Sequence, residues 1–117
     1  MPYIKKDDGR RKALRKGTPA LIAGELNYQI YYYMKHNTKV PNNVKYETVK
    51  IFVDNFLGEK PNYQRYNDMT GALVRCAREL RRRVDLNGYI LIEVMNSYDE
   101  VIAKYEDIKI EENGDVE

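Results

Sequence analysis

The chain has 117 residues, 43% hydrophobic and 32% charged, with a formal net charge of +2. That length fits one domain with a modest core. The balance excludes the low-hydrophobicity, high-charge signature of disorder, and the near-neutral sum decides nothing about nucleic acid.

Charge is unevenly placed. Lys5, Lys6, Arg10, Arg11, Lys12, Arg15 and Lys16 face only Asp7 and Asp8 in the first 17 residues. From residue 99 onward carboxylates dominate, with Lys104 and Lys109 as the cations. Such ends pair with each other or are solvated. One cysteine, Cys76, rules out an internal disulfide, and a reducing compartment is expected. No run of about 18 apolar residues predicts a membrane span, and the charged start is unlike a signal peptide. A cytoplasmic location is therefore expected, with no membrane partner.

Met1–Ile4 is apolar enough to dock as an extended arm, and residues 6–16 suit a short basic helix stopped by Gly17. Thr18 followed by Pro19 reads as a helix cap and first position, with the helix running over residues 20–36. Ile22, Leu26, Ile30, Tyr33 and Asn37 recur at spacings of three and four, so Leu26, Ile30, Tyr33 and Met34 define its inward stripe. Residues 37–43, with Pro41, read as a loop, and Asn42 or Asn43 can cap the next helix. Its apolar face is Val49, Phe52, Val53, Phe56 and Leu57, stopped by Gly58.

The next stripe, Tyr66, Met69, Leu73, Cys76, Leu80 and Val84, is the clearest helical pattern, capped by Asn62 or Asn67 and ended by Gly88. Tyr89–Met95 suits either a buried strand or a helix. Residues 98–105 read as helix with Val101, Ile102 and Tyr105 as the apolar set, and residues 111–117 as an extended tail. The fold expected is mainly α: one helical domain over 1–117, a small bundle with a short strand or hairpin near the C-terminus as an option. Residues 1–17 are its basic segment and 106–117 its acidic tail.

Several blocks stand in order along the chain: Met1-Pro2-Tyr3-Ile4, Gly24-Glu25-Leu26-Asn27-Tyr28, and Tyr66-Asn67-Asp68 with Gly71-Ala72-Leu73. Arg82-Arg83-Val84, Tyr105-Glu106-Asp107 and Glu112-Asn113-Gly114-Asp115-Val116 follow. In these blocks the chain resembles a small family of bacterial and phage proteins of unassigned function. It differs in longer segments between Tyr33 and Phe56 and between Val84 and Tyr105, and in ending at Glu117 where an aromatic is usual. The resemblance implies no activity or cofactor. Phage and mobile-element proteins of this size often sequester a partner, so a host-defence inhibitor is one expectation.

Candidate site residues follow from chemistry. Arg75, Arg78 and Arg82 share one helical face, helped by Arg65, Arg81 and Arg83. Guanidinium forks match phosphate and carboxylate, so the face suits a nucleotide, an acidic protein or nucleic acid; a solvated face explains the same pattern. Asn27, Asn67 and Asp68, with Glu25, could converge on a polar ligand or serve as caps and internal hydrogen bonds. Glu25, Asp68 and Glu79 could hold Mg²⁺ in a nucleotide-metabolising enzyme. Glu106, Asp107, Glu111 and Glu112 could also bind Mg²⁺, though a solvated or docked tail accounts for them.

His36 stands alone, which makes no zinc site. Cys76 lies on a core stripe and is expected buried and inert. Gly9, Gly17 and Gly24 are too far apart for a phosphate loop. Tyr is abundant, 11 residues with 2 Phe and no Trp. Tyr28, Tyr31 and Tyr32 flank one inward stripe, so self-association through tyrosine is expected. The expected function is a non-enzymatic, cofactor-free binding protein, a homo-oligomer taking a protein or small anionic ligand. Alternatives are a Mg²⁺-dependent enzyme of nucleotide metabolism and a nucleic-acid binder.

Overall fold

A computed structural model describes residues 9–86 and 88–114, all six of its regular elements being helices: α1 (Gly9–Arg15), α2 (Ala23–His36), α3 (Asn42–Leu57), α4 (Tyr63–Val84), α5 (Tyr89–Asn96) and α6 (Asp99–Asn113). The mainly α expectation holds. The docking arm expected at Met1–Ile4 lies outside the described residues.

The 22-residue α4 is the spine because its apolar positions recur every three or four residues. Met69, Leu73, Cys76 and Leu80 are fully buried along it. α2 packs along one side of it. Three contacts fix their relative direction. Arg65 Nη1 donates to the Leu21 carbonyl at 2.7 Å, Cys76 Sγ lies 3.8 Å from the Asn27 carbonyl, and the Arg83 guanidinium sits over the Tyr31 ring. Both numbers rise together, so α2 and α4 run in the same sense. α3 and α5 close the core from other sides through Val49, Val53 and Phe56 and through Ile90, Leu91 and Val94. Short α1 packs on α2 through buried Leu14.

Helix starts differ from the sequence expectation. Thr18 and Pro19 do not open α2, which begins at Ala23 behind Ile22. The reason is that their carbonyls are needed elsewhere: Gln29 Nε2 donates to Thr18 O and Arg10 Nη2 to Pro19 O, both at 2.9 Å. No described side chain caps α2 at Ile22; Glu25 Oε1 instead accepts from the N–H of Leu21, just before the helix, at 2.9 Å. This resembles the reach-back arm of a capping box. Ile22, ahead of the helix, is 56% exposed. Pro41, not an asparagine, occupies the N-cap of α3, and Asn42 instead donates to the Tyr89 hydroxyl at 2.8 Å.

Asn62 does cap α4, its Oδ1 accepting from Arg65 N at 2.9 Å. Asn67 lies inside the helix and caps nothing. α4 ends at Val84, not Gly88, because Asp85 adopts the left-handed conformation at φ 51°.

Tyr89–Met95 is helical, and no strand occurs among the described residues. Ile90, Leu91 and Val94 are the buried set. That spacing fits one helical face and not the alternation of a half-buried strand. The Tyr98 hydroxyl donates to Asp54, tying the end of α5 to α3. Burial, then the Asp54 hydrogen bond, pushes this phenol's pKa up. Residues 111–113, expected extended, continue α6 as helix, and no residue of α6 is buried.

Candidate functional site

The basic and aromatic residues of three helices meet on one surface. Tyr28, Tyr31, Tyr32 and His36 are spaced along α2 by three, one and four residues, which keeps them on adjoining faces. From α1, the Arg11 guanidinium lies 5.2 Å from the Tyr28 ring centroid, and Arg15 lies 4.8 Å from that of Tyr32. Arg15 Nε also donates to the Tyr28 hydroxyl at 2.8 Å. From α4, Arg83 covers Tyr31 at 5.5 Å. Tyr32 and His36 are in ring contact with centroids 4.4 Å apart.

Each of these placements comes from packing. α1 brings its cations onto one side of α2 because Leu14 anchors it and Gln29 donates to the Leu14 carbonyl at 2.9 Å. α4 brings Arg83 to the other side because Cys76, two turns earlier, faces α2. A guanidinium stacked on a ring is attracted by the ring's quadrupole, by about 0.5–2 kcal/mol.

The predicted arginine face connects with this surface in part. Arg75 and Arg82 are seven residues apart, hence on one flank of α4, beside the line through Cys76 and Arg83. Both are exposed. Arg82 pairs with Glu79 at 3.0 Å on the same helix. Arg78 lies farther round toward solvent, and neither Arg75 nor Arg78 forms a salt bridge among the described residues.

The other candidates do not gather. Asn27 is 3% exposed beside Cys76. Asn67 is nine residues from Cys76 along α4, about 13 Å and on the opposite side of the helix. Asp68 accepts from Gln64 at 2.8 Å. Glu25 is held by Arg10 at 2.7 Å, and this hydrogen-bonded guanidinium keeps its carboxyl below the usual range against the opposing effect of burial. Asp68 and Glu79 are eleven residues apart on α4, about 16 Å, too far to share an ion. Among the described residues, no three His, Cys, Asp or Glu side chains are grouped to hold a metal. No described helix is long and apolar enough to cross a membrane.

Cys76 is fully buried, and burial raises its thiol pKa. A cleft of about 150 Å³ opens between α4 and α6, lined by Tyr63, Tyr66, Asn67, Thr70, Ile102, Tyr105 and Glu106. Tyr63 N donates to the Tyr105 hydroxyl at 3.1 Å, and the Tyr66 and Tyr105 rings are 5.4 Å apart. Burial raises the Tyr66 pKa, helped by Tyr105.

Sequence reasoning missed the pairing of Arg11, Arg15 and Arg83 with tyrosines. The available signal was the run of tyrosines beside a basic segment; which cation meets which ring depends on how α1 and α4 flank α2. In comparisons with protein-family models, curated proteins and solved structures, nothing matches this chain.

Proposed function

We propose that this protein is a non-enzymatic binding protein whose arginine–tyrosine surface takes an acidic macromolecular partner, foremost an acidic protein segment. The carrying observation is that Arg11, Arg15 and Arg83 are stacked on Tyr28, Tyr32 and Tyr31. Each ring contact restrains its guanidinium before any partner arrives. That lowers the ordering cost of binding and aims fork-shaped donors at carboxylates or phosphates. Neighbouring helices pack 8–10 Å apart, so a surface from α1 across α2 to α4 is about 16–20 Å wide. That width suits a macromolecular anion better than one small phosphate group. A tyrosine face that already carries an arginine offers less to a nucleobase, which favours carboxylates over single-stranded nucleic acid. The sequence blocks resembling bacterial and phage proteins suggest sequestration of a host partner as the setting.

The test is fluorescence anisotropy with labelled poly-L-glutamate, and with a single-stranded oligonucleotide of equal charge, at low and physiological salt. The polyglutamate should bind, weaken as salt screens the charges, and weaken further in Arg15→Ala and Arg83→Ala. Absence of polyglutamate binding at low salt overturns the proposal. Tighter oligonucleotide binding favours nucleic-acid recognition instead.

A further inference from the structure

The cleft between α4 and α6 gathers polar groups that the fold leaves without partners. Tyr66 is only 7% exposed, yet its hydroxyl has no hydrogen-bond partner among the described residues. An unpaired hydroxyl that deep favours a partner, and this one lines the cleft. Asn67, Thr70 and Glu106 line it as well, and their side chains form no hydrogen bond or ion pair among the described residues. Helical spacing explains the gathering. Tyr63, Tyr66, Asn67 and Thr70 share one face of α4, and Ile102, Tyr105 and Glu106 share one face of α6. The α4 set stands opposite Arg65, Cys76 and Arg83, which face α2.

The walls select a cation. Tyr63, Tyr66 and Tyr105 bring aromatic rings, with the Tyr66 and Tyr105 centroids 5.4 Å apart and their planes tilted by 59°. Ring faces attract ammonium groups. Tyr105 already draws one from its own helix: Lys109 Nζ lies 5.6 Å from its centroid, although Lys109 does not line the cleft. Lys109 is held by Glu112 at 3.4 Å, which leaves the Glu106 carboxylate uncompensated. α6 as a whole carries six carboxylates against two lysines, a field that draws cations and repels anions. Volume sets the size of the guest. A water-sized group occupies about 30 Å³, so the cleft of about 150 Å³ holds about five non-hydrogen atoms.

We propose that this cleft binds an alkylammonium group, a primary amine on a short aliphatic stem. The ammonium offers only N–H donors, and the oxygens of Tyr66, Asn67, Thr70 and Glu106 are the acceptors that lack a donor. The stem lies against Ile102 and the rings of Tyr63 and Tyr105. A free butylamine-type molecule and a lysine side chain of another protein share this chemistry and this size. A planar nucleobase is too large for the cleft, and a carboxylate is repelled by Glu106. No residue of the arginine–tyrosine surface takes part, so failure of either proposal leaves the other standing.

The test is an amide NMR titration of the full chain with n-butylammonium chloride at millimolar concentrations. Signals of residues 63–70 and 102–106, with the Asn67 side-chain amide, should shift and saturate, while those of Tyr28, Tyr31 and Tyr32 stay in place. n-Butanol has the same length without the charge and should bind at least about fivefold more weakly, the fold-change of one cation–π contact. Glu106→Gln, with circular dichroism matching the parent, should bind butylammonium several-fold more weakly. Acetyl-lysine methylamide, blocked at its α-amine, distinguishes the sources: tighter binding than butylammonium supports the site as a reader of protein lysines, and weaker binding supports a free amine. No saturable shift with butylammonium overturns the proposal. So does equal affinity for butanol, or unaltered affinity in Glu106→Gln.

Discussion

Replacing Gly88 with alanine should loosen the contact between α4 and α5. A Cβ built at Gly88 would sit 2.6 Å from both Cα and Cβ of Ala77 and 3.1 Å from its carbonyl oxygen. The backbone at φ −89° and ψ 17° suits alanine, so the cost is one of packing and not of conformation. Carbon atoms prefer about 3.5–4.0 Å, so the two helices must part by about 1 Å. The obstacle is backbone, which yields less easily than a side-chain tip. Overpacking of this kind costs about 1–3 kcal/mol. In a chain of this size each kcal/mol lowers the melting temperature by about 4 °C, giving a loss of about 4–12 °C. Gly71→Ala is the control. Gly71 is exposed within α4, and a Cβ added there would have nothing within 4 Å. That change should stabilise by about 0.5–1 kcal/mol, because alanine is the better helix former. Thermal melts by circular dichroism read both. A Gly88→Ala melting temperature equal to the parent's would refute the close approach of α4 and α5.

Glu25 makes stability depend on acid. Arg10 holds its folded pKa below the ordinary value of 4.5, so its contribution is complete above that value and fades as pH falls through the folded pKa. Denaturant titrations should show Glu25→Gln less stable than the parent near neutrality, with the gap closing toward the acid end; a gap that widens there would contradict the pairing. Cys76 should resist thiol reagents in the native protein and react on unfolding, since it is fully buried with a raised pKa. Cys76→Ser should cost about 1–3 kcal/mol through a poorly satisfied hydroxyl.

The parts legible in the sequence were those fixed by local periodicity. Val49, Val53, Phe56 and the stripe from Tyr66 to Leu80 are buried as their spacing requires. Asn62 caps α4 because an asparagine before a helix has an oxygen within reach of the third N–H. The start of α2 was misread because Thr18 and Pro19 satisfy a local rule while Gln29 and Arg10, both distant in sequence, use their carbonyls. Tyr89–Met95 was ambiguous because a short apolar run suits both structures until its packing partners are known. The Tyr28, Tyr31 and Tyr32 run suggested self-association, since one core can hardly bury three tyrosines. In the fold, arginines of the same chain cover all three rings. That covering depends on tertiary placement, which no single stretch of sequence encodes.

The central claim is that the guanidiniums on α1 and α4 form an oriented site and not just a positive field. The most direct measurement is polyglutamate affinity of the Arg15→Lys, Arg83→Lys double variant against the parent at equal ionic strength. Lysine keeps the charge but removes the fork. An oriented site predicts a loss of about tenfold, the equivalent of about 1.4 kcal/mol. Unchanged affinity would mean that bulk charge alone attracts the partner, and would contradict the account.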